Sequence, residues 1–296
     1  MNRRRFLMIS AATLVAGRAA ADVTTWQSDA LGGTLRVDLR GSRGLAEETA
    51  AGIAAIIEEV EAAASLFRPD SALSRLNADG RLDDPPQALR DMLVLSGALH
   101  RQTGGLFDPT IQPLWRALAE GGDEAQARRL IGWDRVRLGP RIEIGEGQSL
   151  TLNGLAQGYA ADRVRDLLGE AGYGPALIDM GEYAAIGGPF LLGIEDPELG
   201  IVATRRVTGS AVATSSPAAM LIGGQDHILG PRAELPAWST ISVEAETAAL
   251  ADGLSTAFCL MPMLQLRDLA GRTPGVRRIV AVSLAGDVLS LRGLAG

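Results

Sequence analysis

No lysine occurs anywhere in the 296 residues, although arginine is common. That absence excludes a Walker A phosphate clamp, a Schiff-base amine and a serine–lysine nucleophile pair. Cysteine is nearly as scarce. Cys259 stands alone, so neither an internal disulfide nor a multi-cysteine zinc site is available. Its neighbours Ala257, Phe258 and Leu260 make it a small buried hydrophobe. Histidine is limited to His100 and His227, and no G-x-S-x-G turn accompanies them, which leaves a serine hydrolase poorly supported. Basic residues cluster only at the extreme N-terminus, and the formal net charge is −7. Such a chain has no stripe to displace counterions from phosphates, so no nucleic acid is expected as a partner.

What is present suits a soluble globular protein, with 47% hydrophobic and 21% charged residues, in one large domain or two closely packed ones. The N-terminus carries Arg3, Arg4 and Arg5, then an apolar stretch from Met8 to Gly17, then Ala19-Ala20-Ala21. A positive start, a short apolar core and small residues at a cleavable point describe a signal peptide. The core is too short for a membrane span of roughly 20 residues. Arg3-Arg4-x-Phe6-Leu7 fits a twin-arginine export signal, and an ordinary signal with a chance arginine cluster fits too. We therefore expect a leader over 1–21, cleaved after Ala21. The mature chain, 22–296, is expected in the periplasm as one domain that does not span the membrane.

Periodicity predicts a strand over Ala30 to Leu39 and an amphipathic helix over Gly44 to Ser65 with Ile53, Ile56, Ile57 and Val60 on one stripe. A second helix opens at Pro85-Pro86 and closes at Gly104-Gly105, and Asn153 is placed to cap a third running to Ala171. A strand over Ile241 to Ala245 leads into a helix from Thr247 to Leu260, and a hairpin closes the chain around Ala285-Gly286-Asp287. Strands and helices mix without a regular βαβ rhythm. The fold class is α+β.

Asp252 and Thr256 lie four apart on that last helix, so their oxygens share one face. A carboxylate beside a neutral oxygen suits Mg²⁺, which keeps waters and recruits phosphate oxygens. The same pair also suits a solvated aspartate and a threonine packed by its methyl. Apolar neighbours Leu250, Leu254 and Phe258 favour burial, and a buried unpaired carboxylate favours a cation. Phe107-Asp108-Pro109-Thr110 reads as a turn, and the glycine-led segment before the third helix offers N–H groups to phosphates. His100, at a helix end, reads as structural. His227 lies in a loop, where it is either structural or a base.

Seven segments, in order, resemble the ApbE family of FAD:protein FMN transferases: Phe67 to Asn77, Thr103 to Trp115, Leu152 to Arg163, Asp179 to Glu182, Ala213 to Ser215, His227 to Arg232 and Ala251 to Ala257. The resemblance implies largely antiparallel sheets layered with helices, with FAD as substrate and Mg²⁺ as cofactor. It implies metal binding by Asp252, Thr256 and the Gly154 carbonyl, and base action by His227 on the acceptor hydroxyl. Phe67, Leu106, Phe107, Asp108, Thr151, Gln157 and Ile228 are implied to line the FAD site. Phe67 stands where relatives carry a tyrosine. Thr151 and Gln157 replace an aspartate and a lysine, as a neutral pair in place of an ion pair. Gly230, Ala233-Glu234 and Ser216 also depart from the family pattern. The Asn-Gly-x-Ala-Gln-Gly form is similar to the NosX branch of nitrous oxide respiration, which implies a NosR-type membrane flavoprotein as acceptor, modified on a threonine. The departures leave a second reading, a periplasmic FAD-binding protein that donates flavin without catalysing transfer.

Overall fold

The structure is a computed structural model that describes residues 12–14, 23–41 and 44–294. The twin-arginine stretch and the expected cleavage point at Ala21 lie outside the described residues. The three described residues of the expected leader, Ala12–Leu14, form a strand antiparallel to Phe190–Asp196.

An eight-stranded sheet organises the fold. Its order is Val288–Arg292, Val276–Val282, Thr240–Ala245, Ala211–Ser215, Tyr183–Ile186, Ala176–Asp179, Gly33–Arg40 and Val23–Ala30, and every neighbouring pair is antiparallel. The α+β class and the antiparallel sheet are both as expected. Strand alternation splits the core into layers. Ala176, Ile178 and Ala184 face the helices Glu47–Ala64 and Ala156–Glu170, whereas Leu177, Tyr183 and Ala185 face Phe190, Leu192 and Val207 of a smaller sheet. The expected stripe of Ile53, Ile56, Ile57 and Val60 is buried in the first of these layers. A third cluster packs Ile241, Val243 and Ile279 against the helices Gln87–Gln102 and Ala248–Phe258. Phe258 is wholly buried there, and truncating such a ring costs about 3–5 kcal/mol. No helix among the described residues is long and apolar enough to cross a membrane.

Two local expectations need correction. The first strand is a hairpin, Val23–Ala30 with Gly33–Arg40, whose turn places Leu31 and Gly32 at φ 49° and 80°. Two positive-φ residues give the tight turn that matches strand twist, and a leucine in that role carries no sequence signal. Asn153 does not cap the third helix. That helix spans Ala156–Glu170, with Leu155 at the cap position and no side-chain capping bond. The helix Ala248–Phe258 does have its cap, with Thr247 accepting the Leu250 N–H at 3.3 Å.

Candidate active site

The Ala156–Glu170 and Ala248–Phe258 helices meet at Gly158, where a Cβ would lie 2.5 Å from the Ala248 carbonyl oxygen. Only glycine permits that approach. Asp162, one turn further on, accepts the Ala248 and Ala249 N–H groups at 2.8 and 2.9 Å. It thereby satisfies donors that the first turn of the other helix leaves open. Registered in this way, the second helix presents Asp252 and Thr256 to the turn at Gly154. A Cβ on Gly154 would sit 2.9 Å from Thr256 Oγ1, and Thr256 Oγ1 donates to the Asp252 carbonyl at 3.2 Å.

Asp252 is 4% exposed. Its carboxylate Oδ2 accepts the Gly158 N–H at 3.2 Å. Burial nevertheless pushes the carboxyl up to about 7, which that single bond only partly offsets. Glu182 opens onto the same pocket and is held well above the usual carboxylate range, by burial first and by Asp252 second. Among the described residues neither carboxylate has an ion-pair partner. Nor do three His, Cys, Asp or Glu side chains converge anywhere among them. Protein side chains alone therefore do not cage an ion here. Two uncompensated carboxylates, a hydroxyl and the close main chain at Gly154 fit a hard divalent cation that takes further oxygens from water or phosphate.

His227 is fixed by its own backbone, its N–H donating to the Pro217 and Met220 carbonyls at 3.3 and 3.2 Å. Its ring Nδ1 is 2.8 Å from the Pro217 carbonyl oxygen. A carbonyl only accepts, so Nδ1 carries the proton and Nε2 is left as the acceptor. Burial lowers the imidazole from its ordinary 6.5, which keeps the ring neutral at pH 7.

His100 is a brace for the opposite wall. Its Nδ1 donates to the Phe107 carbonyl at 3.0 Å and lies 3.6 Å from Asp108 Oδ2, and Thr103 Oγ1 accepts the Phe107 N–H at 3.0 Å. Asp108 Oδ1 accepts from the Thr110 N–H and hydroxyl at 2.9 and 2.6 Å, so the expected turn is a capped 3-10 turn. A third wall is the end of the central strand, held by hydroxyl pairs. Thr214 donates to Ser242, Ser215 pairs with Ser255, and Ser216 pairs with Thr240, which in turn donates to Asp196.

Ten of the eleven residues singled out from the sequence line one pocket: Leu106, Phe107 and Asp108 from one loop, Thr151 and Gly154 from the turn, Gln157 from the start of the Ala156–Glu170 helix, His227 and Ile228 from a second loop, and Asp252 and Thr256 from the Ala248–Phe258 helix. Phe67 is the exception. It is 53% exposed and lines an adjoining pocket that shares Trp115 and Asn153 with the first. Thr151 Oγ1 accepts the Asn153 N–H at 3.2 Å, and Gln157 Nε2 donates to the Leu31 carbonyl at 3.4 Å. The Gly230 departure has a local cause. A side chain there would run into Glu234, whose carboxylate accepts the Arg232 N–H at 2.8 Å and pairs with its guanidinium at 2.8 Å.

Sequence reasoning gave Glu182 no role. Beyond ending the Asp179 to Glu182 segment, its signal is a carboxylate directly after a buried strand, and its neighbours Thr214 and Asp252 are far away in the chain. Trp115 ends the Thr103 to Trp115 motif with no role assigned by the sequence, yet it lines both pockets.

The sequence profile of the ApbE family matches residues 24–280. A curated relative, FAD:protein FMN transferase of Haemophilus influenzae, is 26% identical over 247 residues, which cover 71% of each chain. Among solved structures, Pseudomonas stutzeri flavinyl transferase ApbE in its apo form is similar at 25% identity with a TM-score of 0.77, covering 93% of this chain and 95% of that one. Flavin transferase ApbE from Vibrio cholerae shares the fold at 19% identity and a TM-score of 0.81, covering 93% and 98%. The profile spans most of the chain, over the same hairpin, helix pair and pocket walls described above, and the chain therefore belongs to the ApbE family.

Proposed function

We propose that the chain is an exported, Mg²⁺-dependent FAD:protein FMN transferase that places FMN on a threonine hydroxyl of a NosR-type membrane flavoprotein. The observation that carries this reading is the convergence of Asp252, Thr256 and the Gly154 turn with the Nε2-accepting His227 on one pocket. The pocket encloses about 160 Å³ and the adjoining one about 380 Å³. Small-ligand sites run to roughly 300–1,000 Å³, so the first alone is small for a dinucleotide and the pair suits one. FAD laid across both would bring its pyrophosphate towards Asp252 in the first and an aromatic ring towards Phe67 and Trp115 in the second.

The chemistry assigned to the side chains is a displacement at phosphorus. The threonine oxygen of the acceptor bonds to the FMN phosphorus as its proton passes to His227 Nε2. The phosphorus–oxygen bond to AMP breaks, and AMP leaves with the electron pair. Asp252, Thr256 and the Gly154 carbonyl would hold Mg²⁺, which when bound neutralises charge on the diphosphate. Leu106, Phe107, Ile228 and Leu260 give the pocket an apolar lining that limits hydrolysis by water. Transfer of this kind rests on positioning and electrostatics, so few reacting side chains suffice.

Incubation of the 22–296 chain with FAD, Mg²⁺ and an acceptor domain tests the reading. Flavin fluorescence that stays on the acceptor through denaturation supports transfer. Flavin that is bound but lost wholly on denaturation supports the noncatalytic donor, a reading motivated by the neutral Thr151 and Gln157. Export is tested by the mass of the protein in the periplasmic fraction, which should begin at Asp22. A threonine-to-alanine change in the NosR-type acceptor should abolish labelling.

A further inference from the structure

We propose that Glu182 is a second carboxylate of the divalent-cation site, giving it together with Asp252 a formal charge of −2. This rests on the cation reading above and deepens it.

Glu182 lies in the turn between Ala176–Asp179 and Tyr183–Ile186, on the sheet side of the pocket, opposite the helix that carries Asp252. Gly181 turns the chain at φ 96°, packed so closely that a Cβ there would lie 2.5 Å from Gln157 Nε2. The turn is therefore fixed, and Glu182 is 6% exposed. Its Oε2 accepts the Thr214 N–H at 3.2 Å, and its other oxygen accepts no hydrogen bond from a described residue.

A purely structural role is the competing account. Bracing the Thr214 N–H needs an acceptor, which a glutamine amide oxygen or a serine supplies without charge. The cost of the charge is then unexplained, because a buried ionised carboxylate without a cationic partner is among the least favourable arrangements in a protein interior. The cost is compounded here, since Glu182 and Asp252 line one pocket and the Asp252 charge adds to the burden on Glu182. The chain contains no lysine, and no described arginine reaches either carboxylate. A hard divalent cation is the one counter-charge that compensates both while using the Thr256 hydroxyl as well. A site with two carboxylates binds the ion before a phosphate substrate arrives, whereas a site with one depends more on the substrate's own oxygens.

Mn²⁺ binding to the FAD-free 22–296 chain, read from the EPR signal of free Mn²⁺, tests this without any turnover. Glu182→Gln keeps the acceptor for Thr214 and removes only the charge. It should weaken Mn²⁺ binding at least fivefold, with a Tm in EDTA equal to or above that of the parent. Asp252→Asn should weaken binding by more. Unchanged binding in Glu182→Gln, within twofold, beside a loss in Asp252→Asn would overturn the role of Glu182 and leave the cation site standing. Unchanged binding in both would overturn the cation reading together with this one. If Glu182→Gln does not fold, infrared spectra of the parent chain with ¹³C-labelled glutamate decide. A labelled carboxylate band that shifts on addition of Mg²⁺ supports the proposal, and a band that does not move overturns it.

Discussion

The Gly158 N–H donates to Asp252 Oδ2 at 3.2 Å, so the residue that lets two helices touch is also the donor that orients the buried carboxylate. Backbone contact and site geometry are one feature. Gly158→Ala brings a methyl against the Ala248 carbonyl and forces the helices apart. Overpacking of this kind costs about 1–3 kcal/mol. Urea unfolding should show that loss, and Mn²⁺ binding should weaken with it. An unchanged urea midpoint would mean the helices separate freely and that the contact has no part in registering Asp252.

Asp252→Asn should cut FMN transfer at least roughly a hundredfold, by removing the charge that supports the cation at the diphosphate. Covalent flavin fluorescence on the acceptor measures it. Stability gives an independent reading. The Asp252 carboxyl is raised from 3.8 to about 7, so its stabilising protonated form is complete below 3.8 and lost as pH rises through about 7. In EDTA at pH 8 the parent chain thus holds an ionised, uncompensated carboxylate. Asp252→Asn should melt at or above the parent there, and should lose the Tm gain that Mg²⁺ gives the parent. A Tm in EDTA well below the parent would point to a structural duty for the charge.

His227 is lowered from 6.5, so the unfolded chain takes up a proton before the folded one does. Its contribution to stability is intact above pH 6.5 and is lost as pH falls through the lower folded value. With Mg²⁺ saturating, so that Asp252 is held ionised, transfer should follow the same direction, flat near pH 7 to 8 with an acid limb whose midpoint lies below 6.5. His227→Gln should lower kcat/KM about a hundredfold or more and remove that limb. An acid limb that persists in His227→Gln would assign it to another group.

Phe67 is 53% exposed, so truncation to alanine should change stability by no more than about 0.5 kcal/mol. Aromatic stacking contributes about 0.5–1.5 kcal/mol, and Phe67→Ala should therefore weaken FAD binding roughly two- to twelvefold. Fluorescence titration of FAD measures it. Equal affinity would confine FAD to the inner pocket and remove Phe67 from the site.

The helical spacing of Asp252 and Thr256 was readable because the period of a helix is local, and the structure keeps both on the pocket side of one helix. The stripe of Ile53, Ile56, Ile57 and Val60 was readable for the same reason. The loop of Leu106, Phe107 and Asp108 was located by motif, but its anchors at Thr103 and His100 required coordinates. The opening hairpin was missed, since Leu31 at positive φ gives no turn signal. Glu182 was missed because its meaning depends on Asp252, which lies on a different element and is brought near only by folding.

By itself the sequence determined what chemistry is unavailable, through its missing lysine and single cysteine, and which oxygens can share a helix face. The tertiary structure alone decided that Asp252 and Glu182 share one pocket that no arginine lines, and that Nε2 of His227 is the open nitrogen. The physical reason is that a charge's burial and a ring's tautomer are set by partners brought in from distant segments, which no local pattern encodes.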